Sequence, residues 1–267
     1  MGPPSIFDCW PLVERRLRAA DRMALMLDFD GTLVPFVDNP GDVRLGTPMR
    51  QLLRRLAHCT GVTVHIISGR RWADLHKYIK VPGVHLLGLH GWERRDTKLP
   101  PEQKELLLKA KRWLTEWLPA SAGIHLEDKG GVLAIHYRGA RLSDVRVARQ
   151  VLQIARDQFK PGLRLLRGKK IWELLPAAIP GKGPITKFLL KAMPAGTLPI
   201  FIGDDASDES AFAALPHGLA VHVGKQTKTI AHFSVRDPDE VREFLERLEL
   251  VVASRKRTNH GDSLRPE

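Results

Sequence analysis

The sequence predicts an α/β protein whose parallel sheet is interrupted by an inserted α+β layer. Two observations predict it: apolar, strand-like runs alternate with helical stretches in the first and last thirds of the chain, whereas the middle reads helix, hairpin, helix, hairpin. Alternation favours a parallel sheet, because parallel strands need a long crossover between them. We therefore expect a discontinuous core, residues 1–96 and 179–267, around an α+β domain at 97–178.

The first core segment contains three predicted strands separated by helices. A helix at about 8–20 precedes a strand at 24–28, and Thr47 is predicted to cap the next helix, whose apolar residues recur with helical spacing. The elements that follow are the β-branched strand "VTVHII", a short helix and a further strand, at 62–67, 71–79 and 84–88. This order is typical of consecutive crossovers in a parallel sheet.

The middle of the chain has a different pattern. "PEQKELLLKAKRWLTEWL" is predicted to form an amphipathic helix, and "GIHLEDKGGVLAIHYR" two short strands around Gly130 and Gly131. Ser143 is predicted to cap a second helix, and "LRLLRGKKIWELLP" to form two strands around Gly168. Two such helix–hairpin units indicate an open α+β layer.

The last third returns to alternation. The predicted order is helix, strand, helix, strand, at about 183–193, 199–203, 208–215 and 218–222. Asp237 is predicted to cap the final helix, with Pro238 in its first position and Glu240 completing a capping box. Ligands of open α/β sheets bind at the carboxyl ends of the strands, so we expect the active site between the core and the insert.

Length, charge and cysteine content narrow the class of protein. The chain has 267 residues and a formal charge of +12. No apolar run reaches the roughly 20 residues of a membrane span, and two cysteines, Cys9 and Cys59, are too few for a disulfide framework. We therefore expect a cytoplasmic protein with reduced thiols. A solvated basic surface or an anionic substrate would explain the charge; nucleic acid is a third interpretation, although no binding motif accompanies it.

Asp28 and Asp30 lie two residues apart at the end of an apolar run in "LMLDFDGTLVPF". Carboxylates beside a core need a partner, and their hard oxygens suit Mg²⁺. A carboxylate can also act as a nucleophile and form an aspartyl phosphate. Gly31 permits a tight turn directly after the pair. The alternative is a solvated Asp-x-Asp-Gly turn.

Two further stretches offer groups for an anion. Ser68 and Arg70 follow a β-branched run in "IISGR", where a hydroxyl, backbone amides at a helix N-terminus and a guanidinium could bind phosphate. Lys182 lies between glycines in "IPGKGPIT" and fails the Walker pattern, because Gly183 follows it. An ordinary serine helix cap and a basic turn are the alternatives.

Four acidic residues, Asp204, Asp205, Asp208 and Glu209, cluster in "FIGDDASDES" at a strand end and a helix start. Acidic side chains favour a helix N-terminus in any case, but four of them after a glycine indicate a cation. Together the four stretches supply a nucleophile, an acid–base group, an anion clamp and cation ligands.

In this order the motifs resemble those of the haloacid dehalogenase-like phosphohydrolases, which combine a Rossmann-like parallel-sheet core with a cap domain. A narrower resemblance, over about residues 23–250, is to the trehalose-6-phosphate phosphatases. The segments that carry it are "LHGWERR", "LEDKGGVLAIHYR", "GKKIWELLPAAIPGKG" and "GDDASDESAF", and the Glu-Asp-Lys and His-Tyr-Arg segments of the predicted cap are its specific part. Ser207 stands where that family usually has threonine, and Trp92 where a smaller residue is common.

The resemblance implies a role for each motif. Asp28 would be the nucleophile, and Asp30 the general acid and then the base. Mg²⁺ would be held by Asp28, the Asp30 carbonyl and Asp204, while Ser68 and Lys182 would hold the phosphoryl oxygens. The remaining implied positions are substrate contacts at Gly31, Arg70, Glu127, Lys129, Arg138 and Glu173, and supporting groups at Asp205 and Asp208.

The activity implied by the resemblance is Mg²⁺-dependent hydrolysis of trehalose 6-phosphate to trehalose and phosphate. Another sugar phosphate, such as sucrose phosphate or mannosyl-phosphoglycerate, would suit the core equally. A non-catalytic sugar-phosphate sensor is a further alternative, although it would be expected to lack Asp28 or Asp30, and both are present. We expect a monomer that binds this small molecule and neither membrane nor nucleic acid.

Overall fold

The computed structural model describes residues 2–37, 42–225 and 228–261, with the side chains of the last helix described as far as residue 255. The strands are β1 (Arg22–Leu27), β2 (Val62–Ile67), β3 (Val84–Leu87), β4 (His125–Asp128), β5 (Leu133–His136), β6 (Leu163–Gly168), β7 (Ile171–Pro176), β8 (Thr197–Gly203), β9 (Leu219–Val223) and β10 (Phe233–Val235). The helices are α1 (Trp10–Ala19), α2 (Thr47–Ala57), α3 (Trp72–Ile79), α4 (Pro101–Trp117), α5 (Leu142–Gln158), α6 (Lys182–Ala192), α7 (Ala206–Phe212) and α8 (Pro238–Gly261). Within these residues no helix is both long enough and apolar enough to cross a membrane.

Six strands form a parallel sheet in the order β10-β9-β8-β1-β2-β3. From β1 the chain proceeds outward to β2 and β3, and later returns to the other side of β1 for β8, β9 and β10. The strand order therefore reverses between β1 and β8, and the carboxyl ends of these strands flank the crevice in which such sheets bind ligands. The predicted α/β fold with a parallel sheet is confirmed.

Strand β1 reads as a continuous apolar run because helices cover both faces of the sheet. Leu25 and Leu27 pack into a cluster that includes residues of α1, α2 and α8, whereas Met26 packs among residues of α6 and α7. A strand that is buried on both faces needs apolar residues at every position rather than at alternate ones. The residues directly after β1, beginning with Asp28, are therefore held at the edge of a packed core.

The sequence predicts five strands for this sheet, and the structure adds a sixth, β10. It pairs with β9 over only three residues, too few for an alternating pattern to be visible in the sequence. Its position is fixed by distant contacts, since Ser5 bridges to Ser234 and the Ser234 amide donates to the carbonyl of Pro4 at 2.8 Å.

The inserted layer is a four-stranded antiparallel sheet in the order β4-β5-β7-β6. Both predicted hairpins are present, and they pair through β5 and β7. Helices α4 and α5 cover one face, where Leu114 and Leu152 pack against Trp172 and its neighbours. The opposite face of the sheet carries Glu173, a buried charged residue on a central strand. The boundaries of this cap domain at 97 and 178 stay a prediction.

Two predicted helix caps are wrong. Helices α2 and α5 each begin one residue or more before the expected position, with Gly46 and Arg141 as their N-caps and no side-chain cap bond. Thr47 and Ser143 therefore lie inside the first turn, where a hydroxyl is badly placed to accept the free amides that an N-cap serves. Asp237 does accept from the amide of Glu240, at 3.0 Å, as predicted for the final helix. The Glu240 carboxylate accepts from the amide of Arg236, at 2.6 Å, one residue before the amide that a capping box would use.

Candidate active site

Three side chains at the carboxyl ends of adjacent parallel strands line the same cleft. Asp28 follows β1, Ser68 follows β2 and Asp204 follows β8, and both β2 and β8 pair directly with β1. The Asp28 amide continues the ladder by donating to the carbonyl of Ile202 at 2.9 Å. The sequence separates these residues widely, and the sheet brings them to one edge because the strands run parallel.

Lys182 joins this group from the first residue of α6. Its Nζ donates to Asp28 Oδ1 and to Asp208 Oδ1, both at 2.7 Å, and only 3% of the residue is exposed. Burial opposes the charge of Lys182, but Asp208 and Asp28 outweigh that effect and hold the pKa of the ammonium above its usual range. A permanently charged lysine at this point can neutralise one carboxylate and attract a phosphate.

The acidic charge of the site exceeds what Lys182 can neutralise. Carboxylate oxygens of Asp28, Asp204 and Asp208 lie within 4.8 Å of one another, and neither Asp204 oxygen has a hydrogen-bond partner among the described residues. Burial raises the pKa of Asp28 to about 7 and, with the charge of Asp28, that of Asp204 to about 9. A buried carboxylate without a hydrogen-bond partner, close to two others, fits a divalent cation with oxygen ligands.

The predicted supporting residues, Asp205 and Asp208, are joined in a capping box at the start of α7. The Asp205 side chain accepts from the amide of Ala206 at 2.8 Å, and Asp208 Oδ2 accepts from the Asp205 amide at 3.0 Å. Asp208 therefore uses one oxygen to fix the helix and the other to hold Lys182. The helix start positions Lys182 through this double contact.

Asp30 is oriented by Arg70. The guanidinium donates from Nε and from Nη2 to the two carboxylate oxygens of Asp30, each at 2.7 Å. The sequence predicts that the Arg70 guanidinium binds a phosphate. In the structure it binds both oxygens of Asp30, and both side chains line the cleft. A bidentate pair restricts both side chains and so fixes the direction in which Asp30 faces.

Ser68 does not stand at a helix N-terminus, as the sequence analysis expected. Helix α3 begins only at Trp72, whose amide donates to Glu93 Oε2 at 2.5 Å, and the Ser68 hydroxyl accepts from the Arg70 amide at 3.2 Å. The first free amide of α3 is therefore already used by a carboxylate. Any phosphate contact from this loop would come from Ser68 itself and from the residues directly after it.

Gly31 is predicted to touch substrate, but the structure shows it buried in the turn after Asp30. Its φ is +80°, in the left-handed region, and its amide donates to the carbonyl of Val34 at 2.8 Å. A Cβ here would lie 2.5 Å from Asp204 Oδ2 and would also overlap the ring of Phe36. The position needs glycine for its conformation and for the close approach of Asp204.

We expect Gly31→Ala to lower the free energy of unfolding by about 1–3 kcal/mol and to impair metal binding, because the methyl group displaces Asp204. Urea unfolding and Mg²⁺ titration measure the two effects. Gly196→Ala is the matched control, since Gly196 has a similar φ of +78° but open space around its Cβ. Equal losses in both variants would mean that backbone strain alone is responsible.

A cleft of about 800 Å³ separates these strand ends from the open face of the cap sheet. All the predicted site residues line it except Gly31 and Asp208. From the cap, Glu127 accepts from His136 Nε2 at 2.8 Å, and the Arg138 guanidinium lies 5.9 Å from the Phe36 ring centroid. Glu173 accepts from Lys129 Nζ at 2.8 Å. The cap wall therefore consists of charged groups with hydrogen-bonding capacity.

Several residues that line the cleft were not predicted, and two of them, His90 and Lys169, contact predicted site residues. His90 Nε2 donates to Glu173 Oε2 at 2.7 Å, and Lys169 Nζ lies 3.7 Å from Asp204 Oδ2. Both residues lie in segments that carried the family resemblance, "LHGWERR" and "GKKIWELLP". A single histidine or lysine, however, has no periodicity or spacing that would indicate a functional site. Only the position of the cap over the core shows that they face the cleft.

Comparison with known proteins agrees with the site. A family model described as trehalose-phosphatase matches residues 26–246, most of the chain and every strand-end motif. The chain belongs to the trehalose-phosphatase family. This match confirms two predictions, that the chain is a member of this family and that it is a phosphoric monoester hydrolase.

Relatives of this trehalose-phosphatase chain include the "Probable trehalose-phosphate phosphatase H" of Arabidopsis thaliana, which is 31% identical over 274 residues, spanning 92% of this chain and 76% of the relative. Among solved structures, the C-terminal domain of the Candida albicans trehalose-6-phosphate phosphatase superposes with a TM-score of 0.80 at 23% identity, covering 92% of this chain and 98% of that one. The Aspergillus fumigatus trehalose-6-phosphate phosphatase has a TM-score of 0.66 at 25% identity, covering 93% and 99%.

Proposed function

We propose that this chain hydrolyses trehalose 6-phosphate to trehalose and phosphate, with Mg²⁺, through an aspartyl phosphate on Asp28. One observation carries the proposal: a buried Asp28 is paired with Lys182 beside two further carboxylates at the point where the strand order reverses. That arrangement offers a nucleophile, a cation for the phosphate and ligands for a metal. Family membership supports the trehalose substrate.

In the first step, an Asp28 oxygen forms a bond to phosphorus while the bond from phosphorus to the sugar oxygen breaks. Asp30 protonates that departing oxygen, so trehalose leaves as a neutral alcohol. The fork from Arg70 keeps the Asp30 carboxyl directed at the cleft, and one Asp30 oxygen has to leave the guanidinium before it can carry the proton. Lys182, which lies against Asp28, offsets part of the phosphoryl charge during transfer.

In the second step, water attacks phosphorus and the bond between phosphorus and Asp28 breaks. Asp30, now ionised, accepts a proton from that water, and phosphate leaves with Asp28 restored. Ser68, at the end of β2 and 1% exposed, is placed to donate its hydroxyl hydrogen to a phosphoryl oxygen. The same two carboxyl groups thus serve both steps.

We assign the metal to Asp28, the Asp30 carbonyl and Asp204. The orphaned oxygens of Asp204 support this assignment, and Asp208 adds a carboxylate within 4.8 Å that the sequence analysis had placed only in a supporting role. Mg²⁺ would supply positive charge for the phosphoryl oxygens. Lys182 is already shared between two carboxylates and would leave that charge incompletely balanced.

The deciding experiment is phosphate release by the purified chain from a panel of sugar phosphates with and without Mg²⁺. We expect trehalose 6-phosphate to have the highest kcat/KM and its hydrolysis to need the metal. A higher kcat/KM for sucrose phosphate or mannosyl-phosphoglycerate would overturn the substrate assignment and leave the chemistry intact. Binding of trehalose 6-phosphate without any release of phosphate would favour a sensor.

Glu127 tests whether the cap wall recognises sugar. We expect Glu127→Gln to lower kcat/KM for trehalose 6-phosphate by about 10-fold or more, because a charged hydrogen-bond acceptor for hydroxyls is lost. The small ester p-nitrophenyl phosphate should be affected much less, since it reaches the core without the sugar contacts. Steady-state kinetics on both substrates measure the difference.

The matched control for this experiment is Asp128→Asn, the neighbouring carboxylate on β4. Asp128 does not line the cleft and instead bonds Lys111 Nζ at 3.0 Å on α4. We expect its change to leave both substrates unaffected. Equal losses on both substrates in Glu127→Gln would assign Glu127 to the stability of the cap rather than to specificity.

A further inference from the structure

His90 lies in a short turn with an unusual backbone. Leu89, His90 and Gly91 have φ values of +44°, +59° and +98°, so two consecutive non-glycine residues occupy the left-handed region. Such residues are costly and persist where surrounding contacts impose them. Two of those contacts come from the loop after β2, where the His90 amide donates to the Ser68 carbonyl and the Leu89 amide to the Arg70 carbonyl, both at 2.8 Å.

This backbone directs the His90 ring across the cleft toward the cap. Nε2 donates to Glu173 Oε2 at 2.7 Å, between residues that are 83 positions apart, and only 4% of His90 is exposed. The ring also packs on Gly69, where a Cβ would lie 3.0 Å from the ring atom Cε1. The imidazole therefore fills the space between the Ser68 loop and the central strand of the cap.

Glu173 is held from two sides. Its second oxygen, Oε1, accepts from Lys129 Nζ at 2.8 Å, and the same ammonium lies 3.5 Å from the Gly69 carbonyl. Burial alone would raise the pKa of Glu173, but Lys129 and His90 hold it well below its usual range. The contacts close a circuit from the core loop to the cap and back: Gly69, His90, Glu173, Lys129 and Gly69 again.

We propose that His90 is a positioning residue for sugar specificity: it orients Glu173 and, through it, Lys129, and couples their position to the loop that carries Ser68. The proposal rests on the proposed function, because it takes the cap wall as the sugar site. His90 itself needs no contact with the reacting phosphate. With His90 in place, one oxygen of Glu173 and the ammonium of Lys129 are aligned before the sugar arrives, so less ordering is needed on binding.

The test uses two variants that differ only in reach. His90→Asn tolerates the left-handed backbone but is too short to contact Glu173, whereas the amide nitrogen of His90→Gln occupies the same position along the side chain as Nε2. We expect His90→Asn to lose about 10- to 100-fold in kcat/KM for trehalose 6-phosphate, the range for a hydrogen bond to a buried charge. The loss on p-nitrophenyl phosphate should be several-fold smaller, and His90→Gln should recover most of the trehalose 6-phosphate activity.

A double-mutant cycle with Glu173→Gln separates positioning from a general structural role. If His90 acts through Glu173, adding His90→Asn to Glu173→Gln should cost little beyond the single change. His90→Gly, which removes the ring and relieves the left-handed strain, replaces His90→Asn in the same cycle if the asparagine variant does not fold.

Equal losses on the two substrates, no recovery in His90→Gln, or additive effects in the cycle would each overturn the proposal. Retention of full activity by His90→Asn would also overturn it. Failure of the proposed function would be seen separately, because the unaltered chain would then not hydrolyse trehalose 6-phosphate. The variants are compared with the unaltered chain only where that activity is present.

Discussion

Asp28→Asn should abolish turnover and leave the fold intact. The amide is nearly the same size as the carboxylate and can still accept from Lys182 Nζ, which lies 2.7 Å from Oδ1. An amide oxygen cannot displace a phosphoryl group as a carboxylate does, so we expect steady-state hydrolysis to fall by about 10⁴-fold or more. The melting temperature should change little, because the substitution also removes a charge whose burial is unfavourable.

Asp21→Asn is the matched control, since Asp21 is an exposed carboxylate immediately before β1, at the opposite end of the strand from Asp28. It should retain full activity. Quenched-flow experiments with labelled substrate would add a second readout, since the unaltered chain should accumulate label on Asp28 and the variant should not. Steady hydrolysis by a homogeneous Asp28→Asn preparation would exclude Asp28 as the nucleophile.

Removal of divalent cations should have an equally large effect. In excess EDTA we expect activity to disappear, because the phosphoryl group then lacks the charge of the metal. Lys182 cannot replace it, since its ammonium is already shared between Asp28 and Asp208. Mg²⁺ should restore activity and Ca²⁺ should restore much less of it, since Ca²⁺ takes more ligands at longer distances. Full activity in EDTA would contradict the metal assignment.

The pKa shifts add a quantitative expectation for metal binding. Burial raises the pKa of Asp204 to about 9 and that of Asp28 to about 7, so at neutral pH the metal-free site holds a proton that a cation must displace. Mg²⁺ affinity should therefore rise as the pH increases toward 9, with release of protons on binding. Calorimetry in two buffers of different ionisation enthalpy measures that release. Binding with no proton release at pH 7 would show that the carboxyl groups are already ionised.

The core of the fold and its strand-end residues were predictable from local patterns. The apolar run of β1 and the β-branched run of β2 indicate strands. The residues that follow each run must therefore lie at the carboxyl end of its strand. The sequence alone therefore places Asp28, Ser68 and Asp204 at one edge of the sheet. By contrast, β10 has three residues and is held by contacts with Ser5, which no local pattern reveals.

The partners of the site residues were less predictable than their location. Arg70 was expected on a phosphate and lies on Asp30, 40 residues away along the chain, and Gly31 was expected on substrate and lies buried in a turn. His90 was not predicted to act at all. In each case residue type alone leaves several partners open. The structure shows which protein partner the residue meets, and the substrate contacts of Arg70 and Gly31 stay predictions.

The sequence by itself determined the strand ends that carry the carboxylates, the inserted cap with its two hairpins, and the chemical inventory of the site. These follow from periodicity and turn residues, which act over a few positions and so are visible in one dimension. Only the tertiary structure decided that Lys182 bridges Asp28 and Asp208 and that His90 reaches Glu173 across the cleft. Those contacts join residues 154, 26 and 83 positions apart. Sheet pairing and the position of the cap bring these charged groups together in buried surroundings, where an unpaired charge would be costly.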